Sequence, residues 1–167
     1  MSRSSERGGV ASTVAAPPRW LDEREHAAWR AFLAMYAQLT AKLTKELKRE
    51  TGLSGADYAV LVGVSESPGG RIRANVLCDE LQWEKSRLSK QVSRMEQRGL
   101  LARDICPTDA RGSLVVLTDL GRRTIEQAAP LHVEQVRRWF VDALTAGQLD
   151  DLTAVSRAVI ARLDEGD

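Results

Sequence analysis

The sequence predicts a mostly α-helical fold in which a two-stranded β-hairpin follows a pair of helices joined by a turn. Three observations predict it. Residues 84–98 carry apolar side chains at helical spacing, so one face of a helix is apolar. Residues 101–105 and 114–117 are strand-like runs, and the segment 107–113 between them is rich in turn-forming residues. Long amphipathic stretches flank this region on both sides. This order of elements defines a winged helix-turn-helix, with the hairpin as the wing and long dimerisation helices around it.

The composition is that of one globular domain with a basic centre. The chain has 167 residues and a formal net charge of only +1. Between positions 71 and 111, nine Lys or Arg residues stand against six acids, which gives a local charge of +3. No apolar run approaches the about 18 residues of a membrane span, and no signal peptide precedes the chain's helices. We therefore expect a soluble, cytoplasmic protein.

The N-terminal third is predicted to be a disordered tail followed by one long helix. Residues 1–18 are rich in Ser, Gly, Ala and Pro and have no periodicity. Residues 19–52 contain the first dimerisation helix, where Asp22 and Glu25 have the spacing of a capping box. Its apolar stripe consists of Trp29, Phe32, Leu33, Tyr36, Leu39, Leu43 and Leu47. A helix of roughly 43 Å extends past a small globule, so this stripe needs a partner.

Residues 53–118 are predicted to form the winged helix-turn-helix module. Its first helix starts after Ser54, which has a capping-box acid three residues later. The positioning helix covers residues 73–82, and Trp83 is the apolar anchor in the turn that follows. Ile72 is expected to make a one-residue bridge to the wing.

Residues 119–167 are predicted to form the C-terminal dimerisation helices. Thr118 caps the first of them, and Thr145 with Gln148 makes a capping box that starts the second. The expected apolar stripes are Ile125, Ala129, Val133, Val136, Phe140 and Leu144 on the first helix, and Leu149, Leu152, Val155, Val159, Ile160 and Leu163 on the second. None of these helices has a large enough core of its own, so intertwining with a second copy would bury them.

The face of the 84–98 helix opposite its apolar side chains is polar and basic. It carries Ser86, Lys90, Ser93 and Gln97, with Arg87 and Arg94 at its flanks. Such a helix fits the major groove of DNA, whose base edges offer acceptors to Arg and Lys. A solvent-exposed helix face often has the same composition, so this face alone leaves both interpretations open.

Four segments stand in a characteristic order and spacing. They are SRLSKQV at 86–92, MEQRGLL at 95–101, DARG at 109–112 and LTDLG at 117–121. Together they resemble the MarR family, the multiple-antibiotic-resistance type of bacterial transcription regulators, and the resemblance covers roughly residue 20 to the C-terminus. The turn departs from the family pattern, because Glu84 stands where many members have Ser, Thr or Asp as the helix cap.

The resemblance implies a homodimeric, sequence-specific DNA-binding transcription regulator, namely a repressor of a pseudo-palindromic operator that is associated with the nucleoid. Its partners would be double-stranded DNA and a second copy of itself. Within the helix-turn-helix, residues at the start of the second helix reach base edges, which assigns that role to Lys85, Ser86, Arg87, Ser89 and Lys90. Arg73 and Arg94 are assigned to DNA phosphates, and Arg103 is expected to be a solvent-exposed cation.

The wing residues have a sharper assignment. In the family, the arginine at the position of Arg111 enters the minor groove. Asp109 can aim its guanidinium through charge-assisted hydrogen bonds, and Gly112 permits the backbone to turn. The alternative interpretation is a hairpin-tip ion pair that contributes little.

Family members commonly release DNA when a small aromatic or phenolic ligand binds beside the dimerisation helices. The expected pocket residues are Trp29, Arg30, Tyr36, Tyr58 and Trp83. Aromatic residues at helical spacing are more often plain core, so that alternative stays open. No cofactor or metal is expected, because the few Cys and His residues show no ligand spacing. Neither Cys78 nor Cys106 matches the position of a peroxide-sensing thiol.

Two other function classes compete with the regulator. A winged-helix dimerisation or protein-interaction module without DNA binding would have the same elements. An enzyme is poorly supported, because the sequence shows no nucleophile with a base, no phosphate loop and no paired-carboxylate site.

Overall fold

A computed structural model describes residues 18–105 and 113–166. The predicted N-terminal tail, apart from its last residue, and the wing tip at 106–112 lie outside these ranges. The chain divides into two compact units, residues 1–35 and 36–167, and the first helix crosses the division. This division differs from the boundaries predicted from the sequence, which remain predictions.

The described elements confirm the mostly helical fold with a small sheet. They are α1 Glu23–Thr51, α2 Gly55–Glu66, β1 Arg71–Arg73, α3 Ala74–Leu81, α4 Lys85–Gln97, β2 Leu101–Ile105, β3 Ser113–Leu117, α5 Asp119–Trp139 and α6 Ala146–Asp164, with single 3₁₀ turns at Pro68–Gly70 and Val141–Ala143. Among the described helices, none is both long and apolar enough to cross a membrane.

The first unit contains the N-terminal half of α1. The predicted capping box is present: the Glu25 backbone N–H donates to Asp22 Oδ1 at 2.8 Å, and the Asp22 N–H donates to Glu25 Oε2 at 2.9 Å. These bonds satisfy two N–H groups that a helix start would otherwise leave unpaired. Trp29 stacks on Phe32 with 5.8 Å between ring centroids, and half of each side chain is exposed.

The core of the second unit lies between α2, α3, α4, α5 and the sheet. The predicted apolar face of α4 is its centre, since Leu88, Val92 and Met95 are each at most 2 % exposed. The cluster further contains Leu47, Leu53, Val60, Leu61, Val64, Ile72, Leu77, Cys78, Leu100, Leu101, Val115, Leu117, Ile125 and Ala128. Each side chain buried to this extent contributes about 1.5–3 kcal/mol to the stability of the fold. Because these side chains lie on one face of α4, their burial sets which face of the helix points outward.

The sheet has three antiparallel strands in the order β1-β3-β2. Ile72 was predicted to form a one-residue bridge, but it is the middle of a three-residue strand that pairs Arg71 with Val116 and Arg73 with Leu114. The central strand is β3, so both the chain that enters α3 and the chain that leaves α4 pair with it.

The positioning helix is shorter than predicted. It begins at Ala74 with Arg73 as its N-cap and ends at Leu81. Gln82 takes the left-handed conformation, with φ of 51°, and its backbone N–H and side-chain amide both donate to the Asp79 carbonyl. The turn before α4 therefore has a fixed geometry despite the absence of glycine.

The end of α4 joins the start of α5 through backbone contacts. Gly99 has φ of 70°, its N–H donates to the Glu96 carbonyl, and the next N–H donates to the Met95 carbonyl, which is a Schellman motif. The Thr118 hydroxyl donates to the Gly99 carbonyl at 2.7 Å and accepts from the Gly121 N–H at 3.0 Å. A Cβ on Gly121 would lie 2.1 Å from the Leu100 carbonyl oxygen, so only glycine fits there.

The apolar stripe predicted on α5 is partly wrong. The buried side chains include Ile125, Ala128 and Gln135, whereas Val133 is 55 % exposed. The helix also ends at Trp139, before the last predicted stripe positions. A polar residue therefore occupies part of the face that periodicity assigns to apolar side chains.

Partly buried polar contacts join α1 to α5 where the apolar stripe is interrupted. The Trp139 indole N–H donates to Glu46 Oε2 at 2.8 Å, and Gln135 Nε2 donates to Glu50 Oε2 at 2.6 Å. Lys42 forms an ion pair with Glu46 at 3.0 Å. The Trp139 hydrogen bond, followed by that from Lys42, lowers the pKa of Glu46 below its ordinary value.

The last helix, α6, has the capping box predicted at Thr145 and Gln148. Its apolar residues are largely uncovered in the single chain. The exposed fractions are 60 % for Val155, 55 % for Val159, 57 % for Ile160 and 66 % for Leu163.

Candidate nucleic-acid interface

The outward face of α4 presents the five residues assigned to base reading. The side chains of Lys85, Ser86, Arg87, Ser89 and Lys90 are all exposed. Leu88, which lies among them in the sequence, is 2 % exposed and points into the core. Burial of the apolar face thus turns two lysines, an arginine and two hydroxyls toward solvent from the first two turns of one helix.

The start of α4 is held by a turn in which Trp83 is half-buried. Its ring packs against the core cluster, and its backbone N–H donates to the Cys78 carbonyl at 2.9 Å. The Arg87 guanidinium carbon lies 4.0 Å from the centroid of the Trp83 ring, which is a cation–π contact. Glu84 is the N-cap and makes no side-chain capping bond, as expected for a poor capping residue.

A buried carboxylate on α2 orients the middle of α4. Asp57 is 4 % exposed, and its Oδ1 accepts from Gln91 Nε2 at 2.6 Å. Its Oδ2 accepts from the Ser54 backbone N–H and from Arg98 Nη1, both at 2.9 Å. Arg94 in turn donates to Gln91 Oε1.

Burial acts to raise the pKa of Asp57, but the hydrogen bonds from Ser54 and Arg98 outweigh it and hold the pKa below its ordinary value. The carboxylate is therefore ionised at neutral pH and bonded to both α2 and α4. Sequence reasoning identified Asp57 only as a capping residue and did not identify Gln91. The available signal was the position of Gln91 three residues after Leu88, next to the apolar stripe.

Arg103 was expected to be a solvent-exposed cation, and it is exposed, but it also makes three hydrogen bonds that were not predicted. Its Nε donates to Glu96 Oε2 at 2.9 Å, and its Nη2 donates to the Ser89 carbonyl and the Ser93 hydroxyl, both at 3.1 Å. The side chain thus fastens β2 to α4. Because an arginine offers five donors in a planar fork, one residue can bind three acceptors of a helix surface.

The two residues assigned to phosphates lie in different settings. Arg73 is exposed at the junction of β1 and α3, and Arg94 is exposed on α4 while bonded to Gln91. The wing residues Asp109 and Arg111 lie outside the described residues. The assignments of all four to DNA remain predictions.

A cavity of about 370 Å³ lies beneath the start of α4. Its lining combines apolar side chains of the core with polar ones, including Arg73, Lys85, Ser89 and Arg103. The Cys78 thiol is 6 % exposed there, and burial raises its pKa, so it is a protonated thiol at neutral pH. Among the described residues, no group of three or more His, Cys, Asp or Glu side chains is placed to hold a metal ion.

The residues predicted to line an effector pocket fall in both units. Trp29 and Arg30 belong to the first unit. Tyr36, Tyr58 and Trp83 belong to the second, where Tyr58 contacts the His132 ring with 4.5 Å between centroids. Trp83 contacts Arg87 in the turn of the helix-turn-helix. The assignment of the five residues to an effector pocket remains a prediction.

A three-stranded sheet, two short helices joined by a rigid turn, and a basic outward face on the second helix define a winged helix-turn-helix regulator of transcription. The comparisons with known proteins agree. A sequence model of the MarR family matches residues 51–112. The transcriptional regulator HosA of Escherichia coli O111:H- is 32 % identical over 97 residues, which is 58 % of this chain and 68 % of that protein.

Two solved structures extend the similarity over most of the chain. AbsC, a MarR family transcriptional regulator from Streptomyces coelicolor, is 41 % identical with a TM-score of 0.81, over 90 % of this chain and 100 % of AbsC. Sco3205, a MarR family regulator from the same organism in complex with DNA, is 36 % identical with a TM-score of 0.82, over 86 % of this chain and 90 % of Sco3205. The chain belongs to the MarR family and is a transcriptional regulator, not an enzyme.

Proposed function

We propose that the protein is a homodimeric repressor that binds a pseudo-palindromic DNA operator sequence-specifically and acts in the cytoplasm. The observation that carries this proposal is the exposed face of α4, where Lys85, Arg87 and Lys90 project from the first two turns. The N-terminal residues of the second helix in a helix-turn-helix are the ones that reach base edges. Sco3205, which is 36 % identical, was solved in complex with DNA, and this supports DNA binding by the present chain.

Dimerisation is supported by the uncovered apolar side chains of the long helices. On α6, Val155, Val159, Ile160 and Leu163 are each more than half exposed. Contiguous apolar surface of this kind is characteristic of an interface between chains. A two-fold dimer presents two copies of α4, and for such a protein the half-sites lie about one helical turn of DNA apart.

In this proposal Arg73 and Arg94 contact phosphates, and Arg111, aimed by Asp109, enters the minor groove. Phosphate contacts set the register of the protein on DNA without reading sequence. Narrow A·T-rich minor grooves have a strong negative potential that attracts arginine. Loss of Arg94 is therefore expected to weaken binding to all sequences alike, and loss of Arg111 to weaken preference for A·T pairs at one position.

The test is selection from random duplex oligonucleotides at near-physiological salt. Wild type should enrich an inverted repeat, while a Lys90→Ala, Arg111→Ala variant should not. Lys45→Ala is the matched control, because Lys45 is an exposed lysine on α1 and should be dispensable. Binding without sequence preference, or no enrichment at all, would contradict the repressor proposal and favour the protein-interaction module.

A small aromatic or phenolic effector is a further part of the proposal. Its support in this chain is the Tyr58 ring, which is partly buried against His132. Benzoate and phenol titrated into the protein–operator complex test it. Release of DNA by either, lost in a Tyr58→Ala variant that still binds the operator, is the expected result. Undiminished DNA binding at saturating concentrations of both would contradict an aromatic effector of this size.

A further inference from the structure

We propose that Trp83 is a positioning residue for Arg87: its indole ring holds the guanidinium plane in the orientation that reads a guanine edge. This inference rests on the proposed DNA binding and adds to it a determinant of sequence specificity. Trp83 lies in the turn before α4 and is not among the residues assigned to DNA contact.

The Arg87 guanidinium lies over the Trp83 ring and close enough to be held by it. The Arg87 guanidinium carbon lies 4.0 Å from the Trp83 centroid, well inside the about 6 Å over which the ring quadrupole attracts a cation. A guanidinium that stacks on an aromatic ring uses its face for that contact and leaves the N–H groups at its edge available. No described residue accepts a hydrogen bond from those N–H groups, so they remain available to a base.

The platform itself is rigid. The Trp83 ring packs against the core cluster, and its backbone N–H is bonded to the Cys78 carbonyl at 2.9 Å. The preceding Gln82 is fixed by two hydrogen bonds to the Asp79 carbonyl, from its backbone at 3.2 Å and from its side chain at 2.7 Å. A long arginine side chain that rests on such a platform loses less rotamer freedom when it binds DNA.

Arg87 differs in this respect from the two lysines on the same face. No described residue stacks against or pairs with Lys85 or Lys90, and an ammonium group has no plane to orient. Guanine presents two acceptors, O6 and N7, which a correctly oriented guanidinium can bind together. Trp83 should therefore affect discrimination at one guanine position more than it affects overall affinity for phosphates.

A double-mutant cycle measured by DNA binding tests the inference. The proteins are wild type, Trp83→Leu, Trp83→Phe, Arg87→Ala and Trp83→Leu with Arg87→Ala. The duplexes are the selected operator and the same operator with the read guanine replaced in both half-sites. Trp83→Leu is expected to weaken operator binding roughly tenfold through the two copies of the dimer, and Trp83→Phe should restore most of the affinity.

The decisive comparison is between the two arginine backgrounds. In the Arg87→Ala protein, Trp83→Leu should change affinity by less than about twofold, because the group on which it acts is gone. With Lys90→Ala in place of Arg87→Ala, the full effect of Trp83→Leu should persist. Binding to the operator with guanine replaced should be nearly insensitive to Trp83→Leu. If the Trp83→Leu variant does not fold, Trp83→Met replaces it in the same comparisons.

Three results would overturn the inference. Equal losses in the wild-type and Arg87→Ala backgrounds would show that Trp83 only anchors the fold. If the Arg87→Ala variant bound the operator as tightly as wild type does, Arg87 would not read a base, although the protein would still be a DNA-binding protein. If wild type selected no duplex, the proposed function would fail as well, and the wild-type sample alone identifies that case.

Discussion

Replacement of Asp57 by alanine should destabilise the protein by about 3 kcal/mol. The substitution leaves the buried Gln91 Nε2 without its acceptor at 2.6 Å, which costs about 1–3 kcal/mol. It removes half of the α2 capping box, worth about 0.3–1.5 kcal/mol. The ion pair with Arg98 adds at most about 1 kcal/mol, because 44 % of the arginine side chain is exposed and can return to water.

Urea unfolding followed by circular dichroism measures this change, with all proteins at one concentration because assembly affects apparent stability. For a chain of this size the melting temperature should fall by roughly 6–12 °C. Asp57→Asn, which keeps the shape and one acceptor but loses the charge, should lose about half as much free energy of unfolding.

Asp79→Ala is the matched control, because Asp79 is an exposed aspartate on the neighbouring helix and its replacement should change stability by at most about 0.5 kcal/mol. If Asp57→Ala were no more destabilising than Asp79→Ala, the carboxylate would not hold α2 and α4 together, and the reasoning would be refuted.

Further predictions concern pH, backbone packing and assembly. The pKa of Asp57 is lower in the folded state than in the unfolded state, so its contribution to stability is complete above the unfolded-state pKa of about 4 and is lost as the pH falls below that value. Acid titration should therefore lower the free energy of unfolding of wild type more steeply than that of Asp57→Asn. Parallel plots of unfolding free energy against pH would contradict this. Gly121→Ala, whose Cβ would lie 2.1 Å from a carbonyl oxygen, should lower the free energy of unfolding by about 2–4 kcal/mol. The control Gly147→Ala, whose Cβ would meet nothing within 4 Å, should be neutral or stabilising. Equal unfolding midpoints for the two variants would refute the close approach at Gly121. Val159→Glu on α6, where the valine is 55 % exposed, should dissociate the proposed dimer, as measured by sedimentation. Ala161→Glu on the opposite face of the same helix should leave the dimer intact. A monomeric wild type would contradict the proposed dimer.

The sequence was most informative where a single physical rule governs several residues. The spacing of Leu88, Val92 and Met95 predicted the buried face of α4, because apolar burial follows the helical period. Capping boxes were predicted correctly at three helix starts, because the side chain and the backbone group that it satisfies are only three residues apart. The end of α4 is governed in a similarly local way, because Gly99 readily takes the left-handed conformation of the Schellman motif.

Contacts between segments far apart in the sequence could not be predicted in this way. Gln91 is buried because it meets Asp57, 34 residues away, and a hydropathy pattern treats it as a surface residue. The hydrogen bonds of Arg103 to Glu96 and Ser93 were not predicted either, because they depend on how β2 packs against α4. The strand β1 contains only three residues and is defined by its pairing partner, so no pattern within it is long enough to predict a strand.

The central position of β3 has a mechanical consequence for regulation. This one strand is bonded on one side to the segment that enters α3 and on the other to the segment that leaves α4, and it leads directly into α5. Hydrogen bonds to this one strand therefore connect the segments next to both helices, which favours displacement of the helices and the strands as one unit. An effector would therefore have little scope to change the shape of a single helix-turn-helix module. In the proposed dimer, an effector would instead change the separation or the tilt of the two helix-turn-helix modules, so that they no longer match successive grooves of the same DNA.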